Sequence, residues 1–285
     1  MVAILIGSAG LVTYALTHVS TPATAAQTAL TSPGILATLS TVPPATFDAV
    51  GVTVPGADLT APQVVDDPAL TSAGTPEVLF VGAEYCPFCA AERWPLIVAL
   101  SRFGRFSVLH NAASSSASVF PGTSSFSFVG ARYTSPYLTF TGVELYSDLV
   151  GADGSFTSIA RLTPSQAALV ARYHPPSGGS AGTTAPFVDV GGRMVATTSG
   201  FSPALLAGLS QAQIAAEVAQ PTPSTRAPTA PTPEPPTGQA VIAAANQLTA
   251  GMCAVTGQRP AAVCHSKGVR AADQSLGLPA PPTGA

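Results

Sequence analysis

Two cysteines set two residues apart, in Cys86-Pro87-Phe88-Cys89, are the side chains best spaced for chemistry in this sequence. The apolar run ahead of them, Val78-Leu79-Phe80-Val81, has the length and composition of a buried strand. After them, Trp94, Ile97, Val98 and Phe103 fall at spacings that share one helix face. The pair therefore sits where a strand hands over to a helix. The first turn of a helix offers unpaired N–H groups and the positive end of the helix dipole, and both favour a thiolate at Cys86. Pro87 suits the first helical position, where an N–H would have no intrahelical partner. Cys89, one turn on, can attack a mixed disulfide formed at Cys86, so the pair can cycle between dithiol and disulfide.

The same spacing also serves a permanent structural disulfide or half of a zinc site. Zinc would need Cys253, Cys264 or His265 to complete four ligands, and their spacing is not that of a zinc finger. No metal and no other cofactor is expected. Cys253 and Cys264 enclose a short loop containing Gly257 and Pro260, and they read as a structural disulfide. The sharper alternative is that a flexible linker lets this second pair reach Cys86 and relay electrons. His110 ends the apolar stretch 106–110 and reads either as a helper of the thiolate or as a polar strand end. The sequence has no phosphate-binding glycine loop, no Gly-x-Ser-x-Gly nucleophile and no paired carboxylates, which sets aside nucleotide-binding, kinase and hydrolase chemistry.

At these cysteines the chain resembles the thioredoxin superfamily, whose redox motif is a Cys-x-x-Cys between the first core strand and its helix. Downstream, Thr183-Thr184-Ala185-Pro186-Phe187-Val188-Asp189-Val190-Gly191-Gly192-Arg193 is similar to that superfamily's cis-proline loop, strand and hairpin turn. The resemblance implies a cis-proline at Pro186 lying against the cysteine pair. It makes Cys86 the attacking thiolate and Cys89 the resolving thiol. Ala185 and Pro186 are then the expected substrate-binding backbone, with Tyr85, Pro87 and Phe88 beside them. The stretches 80–89, 133–148 and 246–264 resemble a membrane-anchored thioredoxin-like family known as domain of unknown function 929, over about 36–264. One departure stands out. Many members of the superfamily keep a buried carboxylate six residues before the first cysteine, and here that residue is Phe80, leaving water or Glu84 to take the Cys89 proton.

The elements that must position this centre can be read in order. Residues 2–19 carry no formal charge and come close to the roughly 20 apolar residues of a spanning helix. They read as a membrane anchor, as a signal segment if cleaved near Ala23-Thr24-Ala25, or, third, as a buried core helix. A stalk over 20–34 follows, then a thioredoxin-like domain over 35–219. Within it, Leu36, Leu39 and Val42 suggest a short helix stopped by Pro43-Pro44, and Phe47, Val50, Val52 and Val54 a short strand. The stretch 106–110 reads as the second core strand. A β-rich insertion spans about 111–160, whose Tyr133, Tyr137, Phe140 and Tyr146 serve the core or a substrate surface. Thr163-Pro164 opens a helix to Tyr173, Phe187 to Val190 and Met194 to Thr197 form a hairpin, and Ser202-Pro203 opens a last helix to about Ala219. A proline-rich linker over 220–238 leads to a helical, disulfide-bonded tail over 239–285.

Only 9% of residues are charged and the net charge is -3, so no basic patch invites nucleic acid. Four cysteines after the apolar segment fit an oxidising compartment. The expected fold is α/β: a thioredoxin-like mixed sheet flanked by helices, with the insertion, an N-terminal transmembrane helix and the helical tail. The expected activity is that of a membrane-tethered thiol–disulfide oxidoreductase outside the cytoplasm, secreted if the leader is removed. Its partners would be protein thiols and disulfides and a membrane redox protein. The missing carboxylate and the outside location favour oxidase or isomerase over reductase. The alternative is a non-catalytic surface module in which Cys86–Cys89 is a staple. An active site calls for an exposed Cys86 of low pKa and a buried Cys89.

Overall fold

The computed structural model describes residues 29–174, 186–220 and 237–278. In chain order, α1 (Pro33–Ser40) and α2 (Pro44–Val50) precede β1 (Gln63–Val64), β2 (Thr71–Ser72) and β3 (Thr75–Gly82). Then come α3 (Pro87–Ser101), β4 (Arg105–Ala113), β5 (Ser124–Thr134), β6 (Thr139–Glu144), β7 (Tyr146–Val150) and β8 (Phe156–Ser158). The helix α4 (Pro164–Tyr173) leads to the hairpin β9 (Phe187–Val190) and β10 (Met194–Ala196). A 3-10 turn (Pro203–Leu206), α5 (Gln211–Ala219), α6 (Thr237–Val255), α7 (Ala261–Cys264) and α8 (Lys267–Leu276) complete it.

Central in the mixed sheet is β3. On one side it pairs antiparallel with β9, Val81 opposite Phe187 and Val78 opposite Val190. On the other it pairs parallel with β6, from Glu77 opposite Thr139 to Gly82 opposite Glu144. β10 and then β1 extend the sheet beyond β9, and β2 joins the start of β3. Side chains alternate across a strand, so β3 feeds two cores. Val78 and Phe80 join the larger one with Val188, Val190, α3 and α6. Leu79 and Val81 join the smaller one with Phe187, Val195 and Val170 of α4. A helix apolar on all sides must be buried on all sides. α3 satisfies this, with every residue from Pro87 to Leu100 buried except Phe88.

Several expectations need correction. The stretch 106–110 does form a strand, but β4 pairs with β5 in a separate two-stranded sheet that packs on α3, and its His110 also bridges Leu30, within the stretch expected as a stalk. The strand parallel to β3 is β6, drawn from the stretch expected as an insertion. The first helix does end ahead of Pro43-Pro44, at Ser40, but Phe47 and Val50, expected in a strand, lie in α2, with Pro44 in its first turn. The helix expected from Ser202 is two pieces, divided at Gly208, whose φ of +71° an L side chain rarely adopts. The stretch after the proline-rich linker is helical, yet α6 is no appended tail: it is buried from Thr237 to Cys253 apart from a half-exposed Gln239, packed on α3, α5 and α8. α4 has the anticipated Thr163 cap, completed as a capping box by Gln166. Among the described residues no helix is long and apolar enough to cross a membrane. The segment 2–19, the stalk up to residue 28 and the linker 221–236 lie outside them.

Candidate active site

β3 ends at Gly82, and the chain turns through Ala83 to Tyr85 before α3 begins at Pro87. Cys86 is the N-cap residue of α3, with φ -81° and ψ 121°, and its sulfur accepts the Cys89 N–H at 3.2 Å. A sulfur thus stands where a Ser or Asp oxygen usually caps a helix. The Cys86 N–H donates to the Ala83 carbonyl at 3.2 Å, closing the turn. Gly82 has no side chain because none fits: a Cβ there would lie 2.6 Å from the Phe80 ring and 3.1 Å from Cys89 Sγ. Neither cysteine is joined in a disulfide.

The two sulfurs differ in ionisation. Cys86 is held below its ordinary pKa, first by the Cys89 thiol donating to its sulfur, then by the Cys89 N–H, the Arg93 charge and the Phe88 N–H; burial opposes this. Cys89 is pushed well above its ordinary value by burial and by the neighbouring Cys86. The pair is thus asymmetric: its surroundings favour the anionic form at Cys86 and disfavour it at Cys89. Exposure is the point of disagreement. Cys86 is 1% exposed, against the open sulfur expected of an attacking thiolate. Its partners in the turn are themselves packed, Pro87 being buried and Tyr85 and Phe88 half-buried.

Aromatic rings flank the turn on two sides. Tyr85 stacks on Phe156 of β8 with centroids 4.0 Å apart, and Tyr146 lies 6.2 Å from it. Burial, then the two cysteines, raise the Tyr85 hydroxyl to about 12, so it stays a neutral donor. On the other side Phe88 meets Phe120 edge-on at 5.9 Å. Phe120 belongs to the serine-rich loop after β4, which is tied to the turn by the Ser115 N–H donating to the Tyr85 carbonyl at 3.0 Å. Pro186 is buried and immediately precedes β9, whose Phe187 pairs with Val81 near the end of β3. Burial holds the His174 imidazole below its ordinary pKa, and the nearby Pro186 backbone opposes this. Ala185, and with it the isomer of the 185–186 peptide bond, lies outside the described residues.

Other candidates fall elsewhere. His110 sits within β4, opposite Ser127. Tyr133 and Phe140 pack with Phe106 and Phe128, and the Tyr133 hydroxyl donates to the Leu100 carbonyl at 2.9 Å, a core arrangement. Cys253 and Cys264 form a disulfide with Cα atoms 5.5 Å apart. It lies toward the other end of the sheet. Val255 packs against Gly191 in the β9–β10 turn, next to the start of the β3–β9 ladder at Val78. From Val78 to Gly82 is four residues, on the order of 13 Å of strand. The relay between the two pairs has no structural support in this arrangement.

Sequence reasoning missed three buried charges. Arg93 forms a two-pronged ion pair with Glu144, Nε to Oε1 at 2.9 Å and Nη2 to Oε2 at 2.6 Å, with both side chains fully buried. Burial alone would weaken the Arg93 charge, but Glu144 more than reverses this and its pKa is raised. Glu92, beside it, accepts the Gly200 N–H at 2.8 Å, and burial lifts its carboxyl to about 8. The available signal was Glu92-Arg93 standing inside an otherwise apolar helix. Glu84 is buried as well, accepting from the Ser127 hydroxyl at 2.5 Å.

Residues 62–151 match a family model described as Domain of unknown function (DUF929). The match runs from β1 through the cysteine turn to β7 and does not reach the second cysteine pair. No curated protein and no solved structure matches the chain.

Proposed function

We propose that the protein is a thiol–disulfide oxidoreductase of thioredoxin-like fold, acting through Cys86 and Cys89. The observation that carries this reading is the N-cap position of Cys86, whose sulfur takes the Cys89 N–H at the end of the central strand. The order of strands supports the fold: a cysteine turn after β3, a parallel neighbour in β6, and the β9–β10 hairpin antiparallel on its other side. In the forward direction the Cys86 thiolate attacks one sulfur of a substrate disulfide and releases the other as thiolate. Cys89 then gives its proton to water or to the released substrate thiolate and attacks Cys86 Sγ, releasing the second substrate thiolate and leaving the Cys86–Cys89 disulfide. Run in reverse, a substrate dithiol becomes a disulfide as the pair is reduced, and a disulfide-bearing partner must then reoxidise it. With Phe80 filling the place of a buried carboxylate, no carboxylate base stands at that position to take the Cys89 proton, which favours oxidase or isomerase work. The apolar segment 2–19 and the Cys253–Cys264 disulfide support a membrane-tethered site outside the cytoplasm.

The near-complete burial of Cys86 favours a second reading, a binding module whose Cys86–Cys89 pair is only structural. Redox titration of the full-length chain in glutathione buffers, with iodoacetamide trapping across pH, separates the two. The redox reading expects a reversible couple, a Cys86 midpoint below that of an ordinary thiol, and a potential nearer DsbA's roughly -120 mV than thioredoxin's roughly -270 mV. A disulfide that resists reduction, or a Cys86 that titrates as a free thiol, would establish the structural role instead.

A further inference from the structure

We propose that the buried Arg93–Glu144 pair positions the cysteine turn and keeps a fixed cation behind both sulfurs, with Glu144 limiting how strongly that cation acts. The inference rests on the redox reading above. Arg93 follows Cys89 by four residues and Cys86 by seven, which places all three along one face of α3. Its Nη2 donates to the Ala83 carbonyl at 2.9 Å, the same oxygen that receives the Cys86 N–H. The guanidinium therefore grips the turn that carries the nucleophile. Glu144 ends β6 opposite Gly82, and its Oε1 also accepts the Phe128 N–H at 3.3 Å, so the carboxylate is fixed in turn. Arg93 Nη1 is buried with no hydrogen-bond partner among the described residues.

A fully buried ion pair is weak evidence for stability, since well-packed apolar residues often do as well. What this pair adds is a charge in a place where water does not screen it. The Arg93 charge favours the anionic form of both thiols, and each thiol in return strengthens the cation. Phe80 lies under it, with the guanidinium carbon 5.3 Å from the ring centre. Where the related fold places an acid that accepts a proton, this chain places a cation that stabilises the anion. The charged and titratable groups around Cys86 are Cys89 and Arg93 on α3, Glu84 and Tyr85 in the turn, Glu144 on β6 and Tyr146 on β7. Arg93 is a positioning residue, since no substrate atom need touch it.

The test uses the full-length chain, in which Cys253 and Cys264 are held in a disulfide and Cys86 and Cys89 are not. Cys86 ionisation is read from iodoacetamide labelling rates against pH, and the couple from equilibrium with glutathione. The double variant Arg93→Met/Glu144→Gln removes both charges and leaves neither buried unpaired. We expect its Cys86 labelling at neutral pH to fall about tenfold and its equilibrium to move about tenfold toward the disulfide, which is about 30 mV more negative. Glu144→Gln alone leaves Arg93 unopposed and moves both readings the other way. Wild-type readings in a folded double variant, or the same direction of change in both variants, would overturn the proposal. Should the double variant not fold, Glu144→Gln against wild type decides, and unchanged labelling overturns it. Labelling needs no redox partner. A wild-type pair that never equilibrates with glutathione sinks the redox reading, while the effect of Arg93 on labelling still stands or falls separately.

Discussion

Glu92 makes the stability of this protein depend on pH in an unusual direction, and Glu92→Gln isolates the effect. Its carboxyl is 2% exposed, accepts the Gly200 N–H, and titrates at about 8 instead of 4.5 because burial disfavours the charge. Between those values the folded protein holds a proton that the unfolded chain has lost, so stability falls as pH rises. The group's contribution is fully present below about 4.5 and is gone above about 8. A shift of about 3.5 units corresponds to about 5 kcal/mol at 1.36 kcal/mol per unit. That is a large part of the roughly 5–15 kcal/mol that holds a domain together. Glutamine has the same shape and keeps an acceptor for Gly200, but it does not ionise. Urea unfolding followed by the fluorescence of Trp94, the single and fully buried tryptophan, gives the stability from pH 5 to 8. Wild type should lose several kcal/mol across that window relative to Glu92→Gln. Asp189, raised to about 6 by burial, adds a slope of the same sign, but it does so in both proteins and cancels in the difference. Parallel profiles for the two proteins would refute the reasoning.

Two further outcomes follow from the helical layer. Asn246 donates to the carbonyls of Phe47 and Gly51 at 2.9 and 2.8 Å and accepts from Arg102, tying α2 to α6; Asn246→Leu leaves those groups unpaired and should cost about 3 kcal/mol, measured by urea unfolding. Removing the second disulfide with Cys253→Ala/Cys264→Ala should cost about 3 kcal/mol for so short a loop, again by unfolding, while leaving Cys86 labelling unchanged. A changed labelling rate there would revive the electron relay.

The cysteine turn was legible because it combines local signals that act over a few residues: an apolar strand, a proline at the first helical position and an apolar helix. The Thr163 cap and the β9–β10 hairpin were legible for the same reason. The choice between β4 and β6 as neighbour of β3 was not. Both strands carry aromatic and β-branched residues, and which of them pairs depends on long-range packing that periodicity does not encode. Phe47 misled because its apolar spacing fits a strand, while Pro44 starts a helix as well as stops one. Arg93 and Glu144 lie 51 positions apart and meet only once β6 lies beside β3. The family match covers the turn and β6 but carries no stated activity.

The proline-rich stretch between Gln220 and Thr237 has the look of a domain border, but the packing of α6 gives it another meaning. A cut there would separate the chain into two pieces, neither of which could bury its own apolar surface. The longer piece would lose the helix on which α3 and α5 rest, and the shorter would carry an almost wholly apolar rod. The two halves therefore share one core, α6 filling it against α3, α5 and α8. Fragments divided there should reconstitute when produced together, and a version ending at the linker should aggregate.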